Sequence, residues 1–299
     1  MKIIRPTTIT DAMLTACDVP ETDYAAWSSA TTYALGDKVI VTTGVHKIYE
    51  SLQATNLNHD PTTSPDWWLD SGATNRWKMF DAVVGSQTSQ AESLSVTLQP
   101  GIIDSIAFLD VEASTISVTM TDPTEGVVYT ETIDLIAKTY INDGWSYFFE
   151  PIITDDAVVL LGIPPYSAAS IAITISNPGG TAKIGTLIVG AQKTLGGTQY
   201  DPTIGITDYS KKEVDVFGNF AVLQRAYSKR MSCSLFLDNS AVDELVRTLA
   251  AYRATPLCWV GDDEGTFSSM IIYGFYKSFE ITIPGPVIST CSLEIEGLS

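Results

Sequence analysis

Apolar positions along this chain alternate with polar ones in short runs, which is the two-residue period of a half-buried strand. Such runs occupy residues 38–42, 48–52, 94–98, 102–109, 116–120, 127–135, 145–149, 157–161, 171–175 and 184–189. Turn signals separate them at Pro100-Gly101, Asp122-Pro123, Asn142-Asp143-Gly144, Pro164-Pro165 and Pro178-Gly179-Gly180. Proline lacks a ladder donor and glycine accepts positive φ, so these pairs end strands. Many short strands at this cadence, with no helical period between them, predict a β-sandwich or jelly roll over 75–195.

Beyond that point the pattern changes. Residues 196–214, with Gly196-Gly197, Pro202 and several threonines, have weak periodicity and read as a linker. Runs at 219–224 and 231–237 predict strands, and 241–252 predicts a helix whose apolar face is Val242, Leu245, Val246 and Leu249. Asn239 or Ser240 is placed to cap it, Asp243 and Glu244 fall in the first turn, and Pro256 follows its end. Strands return at 256–260, 269–279 and 290–295, with an acidic turn at 261–265. Residues 215–299 therefore read as a compact α+β unit.

Ahead of the sandwich, an N-terminal segment (1–24) leads into a short aromatic stretch over 25–74. It holds Trp27, Tyr33, Gly36-Asp37, Val39, Tyr49, Asn56, Pro61 and Trp67-Trp68, with no cysteine or histidine cluster to staple it. So short a segment builds only a small core, and its rings either fill that core or stay on show. Successive residues on an extended chain face opposite sides, so one of Trp67 and Trp68 points inward. The predicted fold class is mainly β: an aromatic β module, a β-sandwich, and a C-terminal α+β unit with one helix.

Charge narrows the partners. Residues 1–170 carry 22 acids against 7 bases, and residues 171–299 carry 13 against 10. Such a surface repels phosphate and argues against nucleic acid. The nearly balanced C-terminal part is better suited to docking on other subunits. Five bases lie between Lys211 and Arg230, as a charged strand edge or as a match for an acidic neighbour. No apolar run approaches the ~18 residues of a membrane span. The start, Met-Lys-Ile-Ile-Arg-Pro, lacks the apolar core of a secretory signal, so assembly in a cytoplasm is expected.

The 27–68 spacing resembles the chitin-binding-type carbohydrate modules found on chitinases and on phage tail proteins. That resemblance implies carbohydrate binding by Trp27, Tyr33, Tyr49, Trp67 and Trp68, with an architectural use of the module as the rival. The sandwich resembles galectin-like jelly rolls of phage adsorption devices. Residues 225–232 (RAYSKRMS), 256–261 (PLCWVG), 272–277 (IYGFYK) and 291–298 (CSLEIEGL) resemble the C-terminal region of tail-tip proteins of long-tailed bacteriophages, a tube-like domain that closes into a ring. This implies a virion protein at the tail tip, a distal-tail or baseplate component linking tail tube to the host-adsorption apparatus. A hexameric ring is expected, joined through the strands at 269–279 and 290–295, with tail-tube, tape-measure, hub or fibre proteins and a host-surface glycan as partners. The alternatives are a polysaccharide-binding adsorption or fibre-adaptor protein and a secreted carbohydrate-binding protein.

Signals for catalysis are sparse. His46 and His59 are the only imidazoles, and neither stands in a nucleophile frame. The acids at Asp155-Asp156 and Asp262-Asp263-Glu264 sit in expected turns, where two carboxylates cannot be held across a cleft. Cys17, Cys233, Cys258 and Cys291 are too far apart for a zinc site and read as buried thiols. No enzyme activity, cofactor or metal is expected.

Overall fold

The computed structural model describes residues 1–136, 143–149, 154–214, 218, 220–262 and 267–298. The protein is mainly β, as the two-residue period predicts. Strand β1 (Lys2–Pro6) and β2 (Leu14–Cys17) precede the module strands β3 (Thr32–Tyr33), β4 (Lys38–Val41), β5 (Lys47–Ser51), β6 (Asn56–Leu57) and β7 (Trp68–Ala73). The sandwich follows with β8 (Thr88–Leu98), β9 (Ser105–Glu112), β10 (Thr115–Asp122), β11 (Gly126–Asp134), a short helix α1 (Gly144–Phe149), β12 (Ala157–Leu161) and β13 (Ser170–Thr194). The C-terminal part contains β14 (Gly197–Thr198), β15 (Thr203–Asp208), β16 (Lys211–Val214), β17 (Phe220–Leu223), β18 (Tyr227–Asp238), helix α2 (Val242–Ala251), β19 (Leu257–Val260), β20 (Ile271–Thr282) and β21 (Ile288–Gly297).

One antiparallel sheet runs β11-β10-β13-β1-β19-β20-β21-β18-β14, with β2, β8, β9, β12 and β15 branching from it. Its spine is β13, 25 residues long, whose register shifts between Ser176 and Thr181. Before the shift it lies between β8 and β10, and beyond it β13 takes up β9 and then β1. Alternation in β8 turns Leu94, Val96 and Leu98 inward, and β13 supplies Ile171, Ile173 and Ile175 to the same core. Phe108, Ile116, Val118 and Met120 complete its centre.

The N-terminal residues are not a separate segment. β1 is inserted between β13 and β19, so that Ile3 faces Lys193 on one side and Trp259 on the other. Ile3 packs into the C-terminal core with Trp259, Met231, Leu235, Leu293 and Ile295, while Ile4 packs with Ala107, Ile188, Cys258 and Val260. The amino terminus donates to Gly196 O at 2.9 Å. Five residues thus zip the sandwich to the C-terminal unit. Close approach fixes Gly190, where a Cβ would lie 1.9 Å from Arg5 O.

Other expectations also change. The supposed linker 196–214 holds β14, β15 and β16; β14 and β15 pair with β18, and β16 with β17, because its threonines and isoleucines favour the extended chain over the signal of Gly196-Gly197. Residues 145–149, expected as a strand, are helical: Trp145 and Phe149, four apart, bring their rings to 4.3 Å, and a short apolar run does not distinguish the two periods. Helix α2 buries Leu245 and Leu249 as expected, but Val246, expected on the same face, is exposed, and Ala241 stands at the N-cap without a side-chain bond. Asn239 instead donates to Gly285 O and accepts from Ser289 Oγ, which ties the helix start to the β20–β21 turn. Of the strands expected to join neighbouring subunits, β21 is paired on both sides, with β18 and β20, whereas β20 pairs with β19 only over Ile271–Gly274 and beyond that with β21 alone. The acidic turn lies outside the described residues from 263 to 265.

Candidate functional site

The module folds around its own rings. The turn at Gly36 (φ +87°) is closed by the Asp37 carboxylate, which accepts from the Ala34 amide at 2.7 Å, and this directs β4 back along β5. Val39 and Tyr49 are cross-strand partners and lie on the inner face with Trp68 and Tyr33. Tyr33 meets Trp68 edge to face, with centroids 5.2 Å apart. The polar tips of both are occupied: the Ser28 amide donates to Tyr33 Oη at 2.8 Å, and Trp68 Nε1 donates to His59 O at 2.9 Å. Buried Asn56 donates to Ser51 Oγ and Trp67 O, and its Oδ1 sits 3.0 Å from His59 Nδ1.

This arrangement revises the ring platform. Tyr33, Tyr49 and Trp68 are 8%, 7% and 3% exposed, so three of the five residues proposed to bind sugar are the mini-core itself. Trp27 and Trp67 are half-buried against that core. His59 stacks on Trp67 at 3.6 Å and covers one of its faces. Trp68 is the inward member of the tryptophan pair, as strand alternation requires. Burial closes Tyr33, Tyr49 and Trp68 to a stacked pyranose, which leaves the half-buried Trp27 and the uncovered face of Trp67.

Electrostatics in the module serve the fold. Lys47 pairs with Asp70 at 2.5 Å across β5 and β7, which raises the Lys47 ammonium. Partial burial pushes the Asp70 carboxyl up, but hydrogen bonds from Lys47 and the Gly72 amide hold it below its ordinary range. Burial, with Asp70 nearby, raises the Tyr49 phenol.

A second polar knot joins the module to its neighbours. His46, on the β4–β5 turn at φ +47°, places Nδ1 2.8 Å from Glu21 Oε1 and Nε2 2.9 Å from Asp11 Oδ1, and stacks on Trp77 at 4.1 Å. The Asp11 approach is close but poorly aligned for an N–H···O bond. Thr74 Oγ1 also donates to Glu21, and Arg76 Nε donates to Val19 O. In the sequence His46 reads as an isolated imidazole, since its partners lie 25 and 35 residues upstream and nothing local marks them. The knot pins the module's far turn rather than exposing a nucleophile. Among the described residues, no group of three or more His, Cys, Asp or Glu is placed to hold a metal ion.

The exposed apolar surface lies elsewhere. β15 and β16 run out, and β17 and β18 run back, as one antiparallel hairpin: Thr203 faces Ser232, Asp208 faces Tyr227, Lys211 faces Leu223 and Val214 faces Phe220. From Lys211 to Tyr227 the described side chains are exposed, with Phe220 and Val222 at 65% and 66%. Among the described residues, no side chain between Leu195 and Met231 belongs to a buried apolar cluster. Lys212 Nζ lies 4.5 Å over the Phe220 ring, a cation–π contact at the surface. The basic run at 211–230 marked this place in the sequence, but not that it leaves the body as an arm. A second exposed group, Trp145, Phe148 and Phe149, sits on α1.

A scan against protein-family models finds no match for this chain, and a search of the curated proteins finds none either.

Proposed function

We propose that this chain is a structural subunit of the tail tip of a long-tailed bacteriophage, a distal-tail or baseplate-ring component that joins the tail tube to the host-adsorption apparatus. The observation that carries the assembly part of this reading is the arm of β15–β18. A two-stranded ribbon with apolar side chains on open surface is marginal in water, because neither face buries enough area to offset the ordering of its backbone. Phe220, Val222 and Leu223 are exposed and belong to no buried apolar cluster, and they are suited to contact with another subunit. The tail assignment rests on the resemblance of residues 215–299 to tail-tip proteins. The unit those residues build, an antiparallel sheet with α2 packed against it, supports the reading as a small ring domain.

The module fits this reading as architecture. Its rings are spent on its own core, and His46 fastens it to the N-terminal strands. Imaging of the purified chain and of particles that contain it tests the proposal. Closed rings, six subunits each, located at the tail tip are the expected result. A chain absent from particles, or monomeric in every preparation, would overturn it.

A further inference from the structure

We propose that a cleft between the sandwich and the C-terminal unit binds a small primary ammonium compound with an apolar body, its charge taken by Asp110. The cleft has a volume of about 360 Å³, within the size range of small-ligand sites. Strands β9 and β13 wall it on one side, and β18 and β20 on the other. Its floor is Leu109, Ala157 and Ile271, members of the buried cluster that joins the two units. An apolar floor takes the body of a ligand, and a few polar groups fix its orientation.

Two polar groups in the cleft are left without partners. Leu109 faces Thr186 and Val111 faces Ile184, whereas Asp110 and Gly185 between them drop out of the ladder. Asp110 stands there at φ +56°, a left-handed conformation that aspartate tolerates better than most side chains. Its carboxylate lies over Gly185, where a Cβ would stand 2.8 Å from Oδ2, so the glycine makes room for it. Among the described residues the Asp110 carboxylate has no hydrogen bond and no ion pair. The other carboxylate of the cleft, Asp156, is matched by Lys229 at 2.9 Å. Two carboxylates against one ammonium leave a single uncompensated negative charge, on Asp110.

Thr186 is the second group, and it is 7% exposed. On β13 Leu187 and Val189 turn into the sandwich core, so Thr186 turns with Ile188 to the opposite face, where the cleft lies. Among the described residues its hydroxyl has no hydrogen-bond partner. A buried polar group without a partner costs free energy, which a donor on a ligand recovers. A primary ammonium carries three donors and no acceptor, and so suits a carboxylate beside a hydroxyl oxygen. The Tyr273 ring, also on the wall, is a surface that favours a cation. A metal ion fits less well, since among the described residues no group of three or more His, Cys, Asp or Glu is placed to hold one.

The probe is 2-phenylethylammonium, titrated into the full-length chain and followed by backbone amide resonances. Its neutral counterpart of the same shape is 2-phenylethanol, and phenylacetate supplies the anion. The ammonium is expected to saturate, with the largest shifts at Leu109, Thr186 and Tyr273. It should bind at least about tenfold tighter than the alcohol, the difference that a charge-assisted hydrogen bond supplies. Asp110→Asn keeps a residue that accepts the left-handed backbone but removes the charge, and should bring the two probes within about twofold of each other. Thr186→Val removes the hydroxyl and should weaken the ammonium about threefold or more. Circular dichroism checks that both variants fold, and the comparison of probes needs only wild type. Absence of saturation up to the solubility of the ammonium, shifts confined to other residues, equal binding of the alcohol or the anion, or unchanged affinity in either folded variant overturns the site. The assembly reading uses other surfaces and stands or falls separately.

Discussion

Replacing Gly190 by alanine tests whether β1 is what unites the two halves of the molecule. The added Cβ would stand 1.9 Å from Arg5 O and 2.9 Å from Arg5 C, both backbone atoms. A carbon and a carbonyl oxygen not bonded to each other need about 3.3 Å, so the strands must part by more than 1 Å. No rotamer change relieves the clash, because no side chain is at fault. The separation strains a ladder of five residue pairs between β1 and β13, and through it the three pairs between β1 and β19. Overpacking of this kind costs about 1–3 kcal/mol, and loosening Ile3 and Ile4 from their cores adds to it. We expect a total near 3 kcal/mol or more, read as a lower denaturant midpoint and as new proteolytic cleavage near the N-terminus. Gly197→Ala is the internal control: nothing lies within 4 Å of its Cβ position and its φ is not positive, so the change should stay within about 0.5 kcal/mol. Equal, small effects at both glycines would refute the view of β1 as the joining strand.

Leu249→Ala should destabilise the C-terminal unit by about 2–5 kcal/mol, whereas Val246→Ala, on the outer face of α2, should change it by less than about 0.5 kcal/mol; chemical unfolding followed by tryptophan fluorescence separates them. Burial raises the thiols of Cys233 and Cys291 to about 11 and that of Cys258 to about 12, against an ordinary value of 9.0. These raised values leave stability from the thiols intact below pH 9, and it falls as pH rises from 9 towards 11–12, because the unfolded chain then releases protons that the folded chain keeps. At pH 8 a thiol reagent should modify at most Cys17 in the native chain and all four cysteines once it is unfolded.

The sequence states the elements more fully than it states their edges. Strands such as β8, β10 and β12 are legible because one face is buried and the alternation of Leu94, Val96 and Leu98, or of Ile116, Val118 and Met120, is regular. Helix α2 is legible because Val242, Leu245 and Leu249 recur at helical spacing. What is not legible is contact between residues far apart in the chain. β1 looks like a leading segment, yet its partners lie near positions 190 and 260, and no local pattern records a pairing across that distance. The same gap in sequence hid Asp11, Glu21 and His46 from one another. β15 and β16 were hidden for the opposite reason, since an arm with two open faces need not alternate, and its residues carry no burial signal to read.

The aromatic module shows how a composition signal divides between structure and function. A unit of some fifty residues buries a smaller share of its surface than a full domain, and without a disulfide or metal it must draw stabilisation from large side chains. A buried ring removes 150–250 Å² from water, so at about 25 cal/mol per Å² each of Tyr33, Tyr49 and Trp68 offsets the ordering of several backbone residues. High aromatic density is therefore what such a module requires in order to fold at all, whatever it binds. Only rings in excess of that need are free to meet a ligand, and here these are the half-buried Trp27 and Trp67, the second of them already capped by His59. The apolar side chains that do face solvent lie on the arm and on α1, outside the segment whose spacing drew attention to sugar. Exposure, not density, separates a contact surface from a core.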